Sequence, residues 1–381
     1  MDFDWTASQL ATQAQVLAFA RGELTAAIRA RGVDQPVTAA ELRRCGEHGL
    51  LGLCVARALG GGEHSLLTTA GALEALTFGC GDAGLAFTIG AHLYACCVPI
   101  AEFGAAGLRA RVLPRLARGE WLAANAITEE GAGSDVHALA ATARRDGDDY
   151  VLAGAKSFVT NAPGADIFVV YARTEPAHGF LGISAFVVER DRPGVRVGPT
   201  LDKLGLRSAR AAPIELVDCR VPAANRVGDE GQGALIFARS MQVERAGLAA
   251  VWTGDMARRL AEAVEHARTR RQFGKPLGKH QAVAHRIADM KLRLESGRLL
   301  WQRACWLLDN ERATPLDVSL AKLAVGEAAV QSGRDVIDLF GARGFLVDHG
   351  VERHLRDAIA ATIASGTAAM QRDIIARELG L

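Results

Sequence analysis

The sequence predicts an α+β fold in three consecutive parts: an N-terminal helical domain, a central β domain and a C-terminal four-helix bundle. Two changes of pattern along the chain predict this division. Apolar residues at helical spacing give way to short β-rich runs near Trp121, and the helical spacing returns from Gly231. We therefore expect domain boundaries that separate residues 1–121, 122–229 and 230–381.

The first part has the pattern of packed helices. Leu10, Ala14 and Leu17 recur at helical spacing, and glycines at 60–62 and Pro114 interrupt the pattern. Residues 89–103 are apolar on nearly every side, which predicts a helix buried in the core.

The central part contains short runs rich in β-branched and aromatic residues, each bounded by turn residues. These runs are residues 150–152, 167–171, 183–188 and 214–217. Together they predict a compact β domain inserted between two helical parts.

The third part predicts long antiparallel helices. Its apolar residues step by three, four or seven, as in Val283, Ile287, Met290, Leu294, Trp301, Cys305 and Leu308. A second stripe covers residues 316–339, and short breaks between long helices are typical of a four-helix bundle. The resulting α–β–α order argues against the dinucleotide fold, in which strand and helix alternate.

Composition excludes several function classes. The 381 residues include 44 Lys+Arg and 43 Asp+Glu, so a net charge of +1 gives no general attraction to nucleic acid. Seven cysteines form no spaced framework, which predicts reduced thiols in a cytoplasmic protein. The start of the chain lacks a signal-peptide pattern, and no uninterrupted apolar run reaches ~18 residues, so we expect no membrane span.

Four short segments in a fixed order carry the chemistry. They are TEEGAGSD at 128–135, FVTN at 158–161, VER at 243–245 and RRQFG at 270–274. Alone, each has a plainer interpretation as a turn, a strand end, a solvated helix face or a basic helix terminus. Together they resemble the acyl-CoA dehydrogenase family, which uses FAD to desaturate thioesters, and the resemblance extends over residues 14–379.

The resemblance implies an FAD site in the central part. The flavin would be lined by Ile127, Thr128, Gly133 and Ser134. Glycine at 133 would let the backbone approach the flat ring closely. Ser134 would also face the substrate thioester. Two residues of the second segment would complete this side. Thr160 would donate a hydrogen bond near flavin N5, and Phe158 would cover the flavin edge, where the family usually has Trp.

The fourth segment implies a cofactor shared between subunits. In the family the first arginine reaches the pyrophosphate of FAD held by a neighbouring subunit, and a guanidinium fork suits that diphosphate. The matching residues here are Arg270, Gln272 and Phe273. We therefore expect a homo-oligomer, either a dimer or a tetramer.

Three further positions would lie near FAD. Asp338 and Gly341 belong to the segment DLFGA at 338–342, where the family usually has Gln first and Gly last, and Thr367 lies in the segment ASGT at 364–367. A carboxylate near a diphosphate is unfavourable unless it turns to ribose hydroxyls or to an arginine.

The catalytic base is expected on the helix that follows the β domain. Most family members carry it in a Tyr-Glu-Gly-Thr segment, but Ser365 stands at the glutamate position here. A minority of the family places the base one residue before an arginine, which matches Glu244 and Arg245. We predict Glu244 as the base in a dry pocket, where desolvation raises its pKa. Arg245, Ser365 and Gly366 would contact the substrate.

Several stretches resemble a narrower branch, the L-prolyl-carrier-protein dehydrogenases. They are residues 91–96, 122–126, 160–163, 166–171 and 178–186. That branch oxidises an aminoacyl group on a phosphopantetheine arm, so the expected substrate is a prolyl or related aminoacyl thioester on a carrier protein. A short or branched acyl-CoA is the alternative, since Arg207, Arg210 and Arg245 could serve either partner.

Other classes of function remain alternatives. A flavin oxidase would share every motif, and a non-catalytic FAD-binding homologue would share all but a correctly placed Glu244. An electron-transfer flavoprotein is a further expected partner. We expect no metal site, because His280/His285 and His349/His354 are spaced by five residues rather than four.

Overall fold

The structure is a computed structural model that describes residues 4–175, 179 and 181–381. His178 and Phe180, which belong to one of the stretches that resemble the carrier-protein branch, lie outside the described residues, as do Pro176 and Ala177.

Seven α-helices form the first part of the described chain. They are α1 (Ala7–Phe19), α2 (Thr25–Arg31), α3 (Ala39–Glu47), α4 (Leu66–Cys80), α5 (Ala83–His92), α6 (Val98–Phe103) and α7 (Ala106–Ala117). Side-chain caps begin several of them. Thr6 and Thr38 form capping boxes at α1 and α3, and Asp82 accepts a hydrogen bond from the Leu85 N–H at α5.

Helices α5 and α6 are continuous through a π-helical segment, Leu93–Cys97. The combined helix Ala83–Phe103 is long and apolar enough to cross a membrane by length and composition. The prediction that the chain has no apolar stretch of that length was wrong for this helix. However, 94% of its most apolar 18-residue stretch is buried inside the protein. It is a core helix, as predicted for residues 89–103.

A twisted sheet forms the central part. Its strands are β1 (Ala123–Ala126), β2 (Thr142–Asp146), β3 (Asp149–Thr160), β4 (Ile167–Arg173), β5 (Ile183–Glu189), β6 (Val195–Val197), β7 (Ala211–Pro222) and β8 (Arg226–Val227). The strand order is β6-β7-β3-β2-β4-β5-β8, and β1 pairs in parallel with β4. All four predicted β runs lie inside longer observed strands.

Strand β4 separates two cores. Ile167, Val169 and Tyr171 belong to a cluster shared with the helices, whereas Phe168 and Val170 pack inside the β domain. The alternation follows from the two-residue period of a strand. One face of β4 therefore meets the combined helix Ala83–Phe103.

The third part of the described chain is helical again. It contains α8 (Gly233–Thr269), a hairpin of β9 (Arg271–Gln272) and β10 (Lys275–Pro276), α9 (Gln281–Asp309), α10 (Pro315–Phe340), α11 (Ala342–Phe345), α12 (Arg353–Ile359) and α13 (Ala368–Glu378). Helices α8, α9, α10 and α13 pack as the predicted four-helix bundle, since α10 contacts each of the other three. The same α8 packs against α4 and α5, so both helical parts share one core.

Candidate active site

Glu244 is buried on α8, about three turns after the start of that helix. Its exposed fraction is only 8%. Burial raises the pKa of the Glu244 carboxyl, while a hydrogen bond from Ser365 and the charge of Arg245 act in the opposite direction. The carboxyl therefore has a higher proton affinity than an ordinary glutamate, which suits a general base.

Ser365 faces Glu244 from a tight turn before α13. Its hydroxyl donates a hydrogen bond to Glu244 Oε1. Ser365 has φ +56° and Gly366 has φ +95°, both in the left-handed region, where glycine is favoured and serine is strained. The turn therefore brings the Ser365 hydroxyl into hydrogen-bond contact with the Glu244 carboxyl.

Three side chains hold this turn in place. Arg245 Nε donates to the Ser365 carbonyl at 2.7 Å, and Gln371 Nε2 donates to the Gly366 carbonyl at 3.3 Å. Lys322 Nζ also donates to the Gly366 carbonyl. The predicted substrate contacts of Arg245, Ser365 and Gly366 remain predictions, but all three residues lie together beside Glu244.

A narrow pocket opens beside the same turn. Its walls are mostly apolar and are formed by Phe87, Leu248, Ala249, Trp252, Val325, Ala361 and Ala364. Arg245, Lys322 and Ser365 make its polar end. Burial, followed by the charge of Arg245, lowers the pKa of Lys322 to about 8. The sequence reasoning missed Lys322, although a lysine within the apolar stripe of α10 was a signal for it.

The loop at 128–135 meets the end of β3. The Ser157 N–H donates to the Thr128 carbonyl at 2.7 Å. Lys156 Nζ donates to the Ile127 carbonyl at 3.2 Å and forms a buried ion pair with Glu129 at 2.7 Å. The first two predicted flavin segments are thus joined at the base of the loop.

The tip of this loop is open. Gly133 and Ser134 are exposed, and a Cβ placed on Gly133 would meet nothing within 4 Å. Phe158 is 66% exposed at φ +56°, while Thr160 is half-buried on the same strand. An open backbone, an exposed flat aromatic ring and a hydroxyl together fit a flavin.

The fourth segment, residues 270–274, lies far from Glu244 within one chain. Arg270 directly follows α8, which places it about 39 Å along the helix axis from Glu244. Arg270, Gln272 and Phe273 are all exposed, and Phe273, at the tip of the β9–β10 hairpin, is 92% exposed. One chain therefore does not bring these residues to the base.

The remaining predicted cofactor residues have local partners. Exposed Asp338 accepts a hydrogen bond from Arg286 Nη1 at 3.0 Å, so an arginine compensates its charge. Gly341, at φ +60°, ends α10. Thr367 caps α13 by accepting a hydrogen bond from the Met370 N–H at 3.2 Å. That bond leaves the Thr367 hydroxyl proton available for another acceptor.

Among the described residues, no group of three or more His, Cys, Asp or Glu side chains is placed so that it could hold a metal ion. The seven cysteines are free, and six of them are buried.

Comparisons with known proteins cover the whole chain. Residues 6–120, 124–219 and 231–380 match the N-terminal, middle and C-terminal domains of acyl-CoA dehydrogenase. An L-prolyl (peptidyl-carrier protein) dehydrogenase of Pseudomonas fluorescens is 52% identical over 345 residues, which are 90% of this chain and 91% of that protein.

Solved structures agree with these matches. The prolyl acyl carrier protein oxidase AnaB has a TM-score of 0.96 and 39% identity, covering 99% of this chain and 100% of its own. The FAD complex of PigA has a TM-score of 0.97 and 41% identity, with 100% of both chains covered. The resemblance inferred from the four short segments is confirmed, and so is the predicted fold.

Proposed function

The chain belongs to the acyl-CoA dehydrogenase family, and on that premise we propose that it desaturates an aminoacyl thioester carried by a carrier protein, with Glu244 as the base. It is an FAD-dependent oxidoreductase of acyl or aminoacyl thioesters. The observation that carries the proposed role of Glu244 is its burial opposite Ser365, which donates a hydrogen bond to it.

The residues present suit FAD. The open loop tip at Gly133 and Ser134, exposed Phe158 and the hydroxyl of Thr160 would hold the flavin. Arg270 would reach the diphosphate from a second subunit. When bound, FAD supplies the acceptor for the hydride that leaves the β-carbon.

The protein's own task is to remove the α-proton. That proton is a weak acid, so its removal needs a base with high proton affinity in a site that excludes water. Glu244 meets both conditions, because it is buried and its pKa is raised by desolvation. Ser365 and Arg245 fix the orientation of the carboxyl and of the turn opposite it, which lowers the cost of reaching the reactive geometry.

We assign the substrate as prolyl or a related aminoacyl group on a phosphopantetheine arm. The 52% identical relative acts, by its name, on a prolyl group attached to a peptidyl carrier protein. Exposed Arg207 and half-buried Arg210 supply a basic rim suited to an acidic carrier. Arg210 lies beside the end of β3, the strand that carries Phe158 and Thr160. Its carbonyl accepts a hydrogen bond from the Asn161 N–H at 2.8 Å.

Product mass spectrometry tests this assignment. A panel of acyl-CoAs and aminoacyl-carrier thioesters is incubated with the FAD-loaded protein and an electron acceptor. We expect a loss of two or four hydrogens from the prolyl-carrier thioester and little change in butyryl-CoA. The reverse pattern would replace the carrier substrate by the short-chain acyl-CoA alternative.

Two electron acceptors fit this reaction. Molecular oxygen is favoured by the likeness to AnaB, which is named an oxidase. An electron-transfer flavoprotein is the other, although Phe158 rather than Trp covers the flavin edge. Peroxide formed in step with substrate oxidation, without an added acceptor, would identify an oxidase. Oxidation that needs an added acceptor would identify a dehydrogenase.

We also propose a homo-oligomer that completes each FAD site. Phe273 is 92% exposed on the hairpin, and Phe345 and Val347 form a second exposed apolar group after α10. Such residues are typically covered by another chain. Light scattering coupled to gel filtration should give at least a dimer, and a monomer that retains FAD would contradict the shared site.

A further inference from the structure

Tyr171 is a buried polar group that the reaction described above does not use. It lies on the face of β4 that meets the helices, and its exposed fraction is 0%. Its ring packs edge-on against Phe237 of α8, with 5.7 Å between ring centroids. The phenol therefore lies between β4, the start of α8 and the combined helix Ala83–Phe103.

The Tyr171 hydroxyl has no hydrogen-bond partner among the described residues. Buried hydroxyls are nearly always paired, because an unpaired one has lost its bond to water without replacement. The Tyr171 hydroxyl can therefore form a hydrogen bond with a molecule that binds beside it.

The base is a neighbour of this phenol. Burial raises the pKa of Tyr171 above its ordinary value, and the nearby Cys96 thiol and Glu244 carboxyl raise it further. Burial raises the pKa of the Cys96 thiol, and the charge of Glu244 raises it further. Tyr171 and Cys96 pack in one buried cluster with Met241, which lies about one turn before Glu244 on α8. Three elements thus bring Tyr171, Cys96 and Glu244 close together, and the phenol there is a stronger hydrogen-bonding group than the Cys96 thiol.

We propose that the Tyr171 hydroxyl binds the amine nitrogen of the aminoacyl substrate and so selects aminoacyl over plain acyl thioesters. This inference rests on the proposed function. In an aminoacyl thioester the nitrogen is bonded to the carbon that loses its proton, so a substrate whose α-carbon lies at the base also has its nitrogen close to that base.

The chemistry of the two groups is complementary. A neutral secondary amine has one lone pair and one N–H, and a phenol both donates and accepts. A plain acyl group offers neither and would leave the hydroxyl unpaired. Sites that hydrogen-bond a polar group of the substrate discriminate strongly against analogues that lack this group, because the buried protein group then has no hydrogen-bond partner.

The test compares two thioesters of one carrier protein: prolyl and cyclopentanecarbonyl, which has the same ring size but no nitrogen. We expect the wild type to prefer prolyl by at least ~10²-fold in kcat/KM, and Tyr171→Phe to narrow that ratio by at least ~10-fold. An unchanged ratio in Tyr171→Phe would overturn the proposal. So would a wild type that fails to discriminate, whether or not the variant folds.

Tyr94→Phe is the matched control. Tyr94 is also fully buried with an unpaired hydroxyl, but its charged and thiol neighbours are Cys305, Cys54 and Asp309. We expect Tyr94→Phe to keep the wild-type ratio, and an equal narrowing in both variants would contradict a specific role for Tyr171. Bound FAD and the melting temperature report whether each variant is folded.

The outcomes separate the two levels of the hypothesis. A wild type that oxidises the prolyl thioester with a ratio unaffected by Tyr171→Phe contradicts the role of Tyr171 alone. A wild type that ignores the prolyl thioester but desaturates butyryl-CoA contradicts the proposed function, and the role of Tyr171 fails with it.

Discussion

Two opposing influences set the proton affinity of Glu244. Desolvation raises its pKa, and the Ser365 hydroxyl and the Arg245 charge lower it. Because the hydroxyl comes from a different part of the chain, the basicity of the carboxyl depends on how well the turn at 365–366 is held.

Glu244→Gln should keep bound FAD and lose turnover by at least ~10²-fold, because an amide cannot accept the α-proton. The measurement is steady-state turnover of the substrate found by mass spectrometry, with flavin absorbance as the check on cofactor content. A variant with near-normal rates would refute the assignment of the base.

Ser365→Ala should move the acid limb of the pH profile to higher pH. The Ser365 hydrogen bond lowers the Glu244 pKa, so its removal raises that pKa, and activity is then lost at a higher pH as the solution is acidified. The pH dependence of kcat/KM measures the shift. Ser365→Gly is the control for backbone strain at φ +56°, and both variants should shift in the same direction. A shift toward lower pH would contradict the hydrogen bond.

Lys322→Met should lower kcat by about tenfold without loss of FAD, because the Gly366 carbonyl loses a donor and the turn loses a fixed position. Lys322→Arg keeps a donor and should recover part of the rate. Lys291→Met, on the exposed face of α9, is the matched control and should behave as the wild type. Normal kcat in Lys322→Met would remove this lysine from the site.

At the scale of elements, α8 performs two tasks at opposite ends. Its first half carries Glu244, and its last residues lead into the exposed hairpin with Arg270 and Phe273. A helix of 37 residues is stiff enough to fix the distance between the two ends. Our proposal that one chain completes the FAD site of another follows from this length.

Arg270→Ala should weaken FAD retention, because a cation that faces the diphosphate is lost. Flavin absorbance relative to protein, measured after gel filtration, gives the occupancy. Arg268→Ala, which removes another exposed arginine from the same end of α8, is the matched control. Equal occupancy in the two variants would count against the shared site.

Sequence patterns predicted the elements that bury apolar side chains. Residues 167–171 and 183–188 lie inside β4 and β5 because buried β-branched runs have few alternatives. The strands β1 and β2 were missed, since AANA and TARRD carry little β propensity and are stabilised by pairing with β4 and β3. The π-helical segment at Leu93–Cys97 has no reliable local signal.

The candidate site was predictable only in part. Glu244 was predicted because, by the resemblance, Ser365 stands where the family usually has glutamate, and its role as the base stays a prediction. Tyr171 was not found, because its position depends on how β4 packs and its sequence pattern is that of an ordinary core strand. Lys322 was not found either, although a lysine in the apolar stripe of α10 was a signal, because its contact with Gly366 depends on how α10 packs against the turn at 365–366.

At the scale of the whole molecule, buried charges join the three parts. Asp357 of α12 accepts a hydrogen bond from the Leu206 N–H of the β domain at 2.6 Å. Asp82 of the first part accepts from Arg31 and from Ser208 of the β domain, both at 2.6 Å. Hydrogen bonds to these two buried carboxyls therefore help to hold the three parts together.

Asp357→Asn should make the folding stability less dependent on pH. Burial raises the pKa of Asp357 from 3.8 to about 7, so its favourable contribution is complete below 3.8 and is lost as the pH rises through 7. The amide does not titrate, so the melting temperature of the variant minus that of the wild type should increase between pH 5 and pH 8. A constant difference would contradict the raised pKa.

The hydrogen bond between Ser365 and Glu244 also limits how such enzymes can evolve. A glutamate at position 365 would bring a second carboxyl against the first, and two such groups in contact do not both ionise. The two locations for the base therefore exclude each other. A stepwise change from one location to the other therefore passes through a chain with two competing carboxyls or with none.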